Sequence, residues 1–91
     1  MANTKSAEKR MRQAAVRKAR NTAIRSSVKT AMKKVREAIA RGDTAAATEL
    51  LARATKTIDK AAAKGVLKSR GASRRVSRLA KAVHAATGAQ A

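Results

Sequence analysis

Twenty-three side chains of this 91-residue sequence are Lys or Arg, and the chemistry they can do is to bind phosphate or another anion. Only 5 Asp and Glu oppose them, leaving a formal net charge of +18. A body this small with that charge repels itself until a polyanion neutralises it; nucleic acid and an anionic membrane surface are the candidates. Other chemistry finds no constellation. His84 is the only His, lies in a stretch without carboxylates, and reads as a surface residue. One His and no Cys cannot assemble a transition-metal site, so neither metal nor cofactor is expected. Ser26 and Ser27 have no base partner for nucleophilic work. Gly42, Gly65, Gly71 and Gly88 are too scattered to cradle a phosphate in one loop. The chain therefore reads as a non-enzyme with no small-molecule substrate.

The elements that must carry these cations are helices. Of the 44% hydrophobic residues most are Ala, none is aromatic, and only 13 are Val, Ile or Leu. That scarcity with this charge borders on the composition of disordered chains. Ala, Lys and Arg are strong helix formers, however, and there is no Pro to interrupt them. Long helices around a thin core reconcile the two signals. The absence of Cys suits a reducing cytoplasm. The apolar runs are too short for a signal-peptide core or a membrane span. The Arg-rich N-terminus could mimic an organelle transit peptide, but its basic pattern continues through the whole chain.

Helical periodicity predicts a first helix over about 4–41, with an apolar stripe of Ile24, Val28, Met32, Val35 and Ile39 beside Ala31. Upstream the stripe fades to Met11, Ala15, Ala19 and Ala23, so the N-terminal half should project beyond the body. Met11 and Met32 read as core fillers. Gly42 ends this helix, and Asp43 or Thr44 caps the next. The second helix covers about 44–64, with Ala47, Leu50, Leu51, Ala54, Ile58 and Ala61 on one face. Gly65 predicts a left-handed cap over which Val66 and Leu67 fold back. The third helix covers about 69–86 and turns Ala72, Val76, Leu79, Ala80 and Val83 inward, leaving 87–91 to fray. The expected fold is one all-α domain, an antiparallel three-helix bundle with a long, partly projecting first helix.

Charge is distributed unevenly. Residues 1–41 carry net +11, residues 42–65 net +1, and residues 66–91 net +6. Helices one and three should therefore face the polyanion while helix two points to water. Arg70, Arg74, Arg78 and Lys81 form one stripe, about 200° around the third helix from its Ala72, Val76, Ala80 row. Arg25, Lys29, Lys33 and Arg36 flank the apolar stripe of helix one by about 100°. Lys5, Lys9, Arg10, Arg12, Arg17, Lys18 and Arg20 surround its upstream half, as insertion between phosphate backbones requires. Arg12, Arg41 and Arg53 each follow a Glu by four residues (Glu8, Glu37, Glu49), so each also fits an ordinary helical ion pair. Lys56 and Lys60, near Asp59, read as plain surface.

A membrane-surface helix needs Trp, Phe or Leu anchors, which the basic half of helix one lacks. Single-strand binders stack bases on aromatic side chains, and this chain has none. Sequence-specific DNA reading usually uses a compact recognition helix and dimer symmetry, and neither shows. Backbone and shape recognition of structured RNA remains, alongside histone-like compaction of DNA. The non-repetitive helices count against the second.

Asn3-Thr4-Lys5-Ser6-Ala7-Glu8-Lys9-Arg10, Arg20-Asn21, Arg25-Ser26, Lys29-Thr30, Lys33-Lys34-Val35, Ile58-Asp59-Lys60-Ala61, Lys64-Gly65, Arg74 and Ser77-Arg78-Leu79 stand in an order and spacing that resembles the bacterial small-subunit ribosomal protein twenty family. Each piece is weak alone; together they are specific. The resemblance implies a three-helix bundle with an extended first helix, located in the cytoplasm on the ribosome. It also implies binding to 16S ribosomal RNA and stabilisation of its fold during assembly, with no homo-oligomer and no membrane partner. The candidate RNA contacts are then Lys5, Ser6, Lys9, Arg10, Arg17, Lys18, Arg20, Asn21, Arg25, Ser26, Lys29, Lys33 and Lys34 on helix one. Lys68, Arg70, Arg74, Arg75 and Arg78 complete the set. After Gly65 the family often has a His-Lys-Asn-like stretch where this chain has Lys68-Ser69-Arg70, which keeps charge but changes the hydrogen-bonding groups.

Overall fold

The helix-forming segments become three helices in a computed structural model that describes the backbone of residues 2–88 and the side chains of residues 4–88. Helix α1 spans Ala2–Ala40, α2 Thr44–Ala63 and α3 Ser69–Gly88. Tight turns make successive helices antiparallel neighbours, and each helix packs against both others. No strand occurs among the described residues. The protein is an all-α three-helix bundle with a long first helix.

The dimensions are 70 × 22 × 13 Å, far from spherical, and α1 accounts for most of the long axis. Its 39 residues extend about 58 Å, while the 20 residues of α2 and of α3 reach only about 30 Å each. The excess projects as an N-terminal arm. Every side chain from Thr4 to Arg20 is exposed. Met11, expected as a core filler, is 72% exposed, because it sits on the arm where no helix lies opposite. Met32, midway along the stripe, does pack against the core.

The core contains ten buried side chains, five of them Ala (Ala38, Ala47, Ala54, Ala61, Ala72) and five larger (Val28, Val35, Ile58, Leu79, Val83). Small residues let the helix backbones approach closely, which compensates for the scarcity of bulk. Ile24, Met32, Ile39, Leu50, Leu51, Leu67 and Val76 are half-buried around this centre. Ala38, three residues after Val35 and next to Ile39, is completely buried; periodicity read from large residues alone passes over it.

The turns are built alike. After α1, Gly42 adopts φ +75°, its N–H donates to the Ile39 carbonyl, and the Asp43 N–H donates to the Ala38 carbonyl, both at 3.0 Å. After α2, Gly65 adopts φ +77°, donating to Ala62, while Val66 donates to Ala61, again at 3.0 Å. Both are Schellman caps, which satisfy the last carbonyls of a helix and reverse the chain. Asp43 rather than Thr44 caps α2, its Oδ1 accepting the Ala46 N–H at 3.1 Å. At the far end α3 continues past Ala86 through Gly88, where Thr87 Oγ1 donates to the Val83 and His84 carbonyls. The expected fraying therefore does not begin at residue 87; residues 89–91 lie outside those described.

Substituting Gly65→Ala tests the cap. A Cβ there meets nothing within 4 Å, so the cost is purely conformational, about 1–2 kcal/mol for an L-residue in the left-handed region. The melting temperature followed by circular dichroism should fall by about 4–8 °C per kcal/mol. An unchanged melt would show that the turn relaxes to another geometry.

Candidate nucleic-acid interface

Three surfaces present the basic residues. The first is the arm. Lys5, Ser6, Lys9, Arg10, Arg17, Lys18 and Arg20 are all exposed on it, on several faces. Cations distributed round a helix that nothing covers form a rod of positive potential, suited to a cleft between phosphate backbones rather than to one flat surface. Asn21, where the arm meets the bundle, is half-buried.

The second surface is the outer face of α3. Ala72, Leu79 and Val83 fix the inward direction of this helix by their burial. Arg70, Arg74, Arg78 and Lys81 consequently point outward, and all four are exposed. No acidic residue pairs with them among the described residues. Lys68 precedes α3 and is exposed as well. Arg75 departs from its neighbours. It is half-buried and curls back so that its Nη1 lies 3.0 Å from where a Cβ on Gly71 would stand. The missing side chain at Gly71 gives this guanidinium its resting place one turn upstream.

On the bundle half of α1, Arg25, Lys29, Lys33 and Arg36 are exposed along one flank, as expected. Ion pairing modifies the pattern slightly. Glu37 lies 3.9 Å from Lys33 and makes no ion pair with Arg41. At that length, with both side chains largely exposed, the pair holds Lys33 weakly. The pair at Glu49 forms as expected, with Arg53 Nη2 donating to Oε1 at 2.8 Å.

The third surface is a furrow between α1 and α2. It comprises three successive hollows that share walls. The first is lined by Ser26, Ser27, Thr30, Lys34, Leu50, Arg53 and Thr57. The second shares Ser27 and Thr57 with it and continues along Ile24, Lys60, Ala61 and Lys64. The third shares Ile24 and Lys64 and opens on Arg17, Arg20, Asn21 and Val66, where the arm leaves the bundle. Ser26, Lys34, Arg17, Arg20 and Asn21 were candidates from the sequence, whereas Thr30, Arg53, Thr57, Lys60 and Lys64 were not. A signal for them exists: Arg53, Thr57, Lys60 and Lys64 recur at four, three and four residues, one flank of α2. Lys56 lies outside these hollows.

Among the described residues no three His, Cys, Asp or Glu side chains gather to hold a metal, and no helix is long and apolar enough to cross a membrane.

Residues 2–84 match the family model of ribosomal protein S20. The chain belongs to the ribosomal protein S20 family. This is a family of structural, non-enzymatic proteins. Among its members, the small ribosomal subunit protein bS20 of Anaeromyxobacter sp. (strain K) is 63% identical over 82 residues, covering 90% of each chain. That of Syntrophotalea carbinolica is 56% identical over 84 residues, covering 92% of this chain and 97% of its own. That of Bordetella petrii is 47% identical over 85 residues, covering 93% and 98%. Family membership extends over both the arm and the bundle, so the features described above belong to one continuous match. It also makes the resemblance noted in the sequence a finding.

Proposed function

We propose that this protein is a structural constituent of the small ribosomal subunit in the cytoplasm, where one copy binds 16S ribosomal RNA and stabilises its fold during assembly. Membership of the ribosomal protein S20 family is the observation that carries the reading. The charge distribution supports it and gives it a direction. The arm enters between RNA backbones, and Arg70, Arg74 and Arg78 meet phosphates on the side of α3 opposite the core. Lys5, Ser6, Lys9, Arg10, Arg17, Lys18, Arg20, Asn21, Arg25, Ser26, Lys29, Lys33, Lys34 and Lys68 complete the contact set. Arg75 joins by unfolding from its place over Gly71. With no aromatic residue to stack on bases, recognition rests on phosphate, ribose and duplex shape.

Sedimentation of a cell lysate tests this. The protein should travel with the small subunit, and recovery mainly with chromosomal DNA defeats the proposal in favour of histone-like compaction. Purified protein should also bind 16S ribosomal RNA with an affinity that falls steeply with salt. The log–log slope should be roughly −0.9 per neutralised phosphate if duplex RNA behaves like B-DNA. A flat response is incompatible with a charge-driven clamp.

A further inference from the structure

We infer that the furrow between α1 and α2 is a second track for a ribose-phosphate strand, separate from the outward face of α3, so that the bundle grips RNA on two sides. This rests on the proposed RNA-binding function and extends it to the helix whose net charge gives least sign of it. The net charge of 42–65 is only +1, but that sum averages over faces. Arg53, Lys60 and Lys64 all turn to the flank that meets α1, and Lys34 faces Arg53 across the first hollow. At the far end Lys64 converges with Arg17 and Arg20. No carboxylate lines any of the three hollows, and only Arg53 has an acidic partner, Glu49, which lies outside them. Bringing like charges from two helices to one concave surface raises the energy of the free protein, and a bound polyanion reverses that cost.

Two of the four hydroxyls lining the furrow favour ribose. Ser27 Oγ donates to the Ala23 carbonyl and Thr57 Oγ1 to the Arg53 carbonyl, each at 3.1 Å. Their hydrogens are thereby committed and their oxygens left as acceptors. An acceptor repels a phosphate oxygen but receives a ribose 2′-OH, which is both donor and acceptor. Acceptors midway along the furrow with cations at both ends match ribose and phosphate of one strand. From Arg53 to Lys64 the track runs about 16 Å along α2, long enough for a few nucleotides of one strand.

The test uses the full chain and 16S ribosomal RNA, comparing the parent with R53Q/K60Q/K64Q, with K56Q on the same helix, and with R74A/R78A. Each variant's fold is checked by circular dichroism. The furrow variant should flatten the salt slope of binding by about 2–3, at roughly 0.7–0.9 per lost contact, while K56Q keeps the parent's slope. In lysine-acetylation footprinting of the complex, Lys60 and Lys64 should be protected at least fivefold and Lys56 should stay reactive. If R74A/R78A weakens binding but the furrow variant keeps the parental slope and Lys60 stays reactive, the track is refuted and the proposed function stands. If the parent shows no binding to 16S ribosomal RNA, the function and the track fall together.

Discussion

Ile58→Ala is expected to destabilise the free protein by about 2–5 kcal/mol, the range for deleting a fully buried aliphatic side chain whose cavity cannot collapse. Ile58 is completely buried, and it sits on the middle helix that joins the other two. Only four other buried side chains exceed Ala in size, so little of the centre can relax into the space. Domains of this length are stable by roughly 5–14 kcal/mol, and self-repulsion of the +18 charge places this one toward the low end. The variant should therefore melt at a much lower temperature than the parent when free. Saturating RNA should recover part of the loss, at most about 2.7 kcal/mol at a concentration 100 times Kd, since any binding to the unfolded polycation reduces the gain. Thermal melts with and without RNA make the comparison. A cost below about 1 kcal/mol for the free variant would contradict a core that depends on Ile58.

The fold was legible because three independent local signals agreed. The stripe from Ile24 to Ile39 gave the buried face of α1, Gly42 and Gly65 gave its left-handed turns, and the absence of Pro left the helices uninterrupted. The projecting arm was legible for a negative reason, since upstream of Ala23 there is nothing large at helical spacing to bury. Met11 misled because a large apolar side chain is read as core by type. Burial depends on whether another helix lies opposite, which is a matter of relative helix length. Ala38 misled in the other direction. An alanine carries little hydrophobic signal, yet where helices come closest only a small side chain fits, and there it is completely buried.

The candidate site was legible where charge varies between segments and illegible where it varies within one. Helix α3 carries cations and no carboxylates, so counting already found its outward stripe. In α2 the three acidic residues of 42–65 cancel most of the basic ones in the sum, although only Glu49 pairs with one of them in space. Asp43 is used as a helix cap, Glu49 holds Arg53, and Asp59 lies on a different face from Lys60. Placing the residues by angle rather than by segment recovers the Arg53, Thr57, Lys60, Lys64 flank. That α1 supplies Ser27 and Lys34 opposite it depends on how the two helices pack, which no single-helix pattern contains.

Replacing Arg70, Arg74, Arg78 and Lys81 together by Ala is expected to reduce the affinity for 16S ribosomal RNA by about three orders of magnitude near 0.15 M salt. Four lost phosphate contacts at about 0.9 each lower the salt slope by roughly 3.6, and that slope over the interval from 0.15 to 1 M gives the thousandfold figure. The change isolates charge from folding. All four residues are exposed on the face of α3 opposite Ala72, Leu79 and Val83, so none contributes to the core. Ala is the best helix former, so α3 gains rather than loses intrinsic helicity, and reduced self-repulsion favours the folded state further. The variant should therefore melt at or above the parent's temperature while binding far more weakly. Lys56→Ala removes one exposed cation outside the three proposed surfaces and should leave the slope within about 0.5 of the parent's. The loss should also persist equally across RNA sequences that fold alike, since phosphate contacts position the protein without reading bases. Weak binding together with a lowered melting temperature would point to a damaged helix instead of a lost contact surface, and an unchanged slope would remove α3 from the interface.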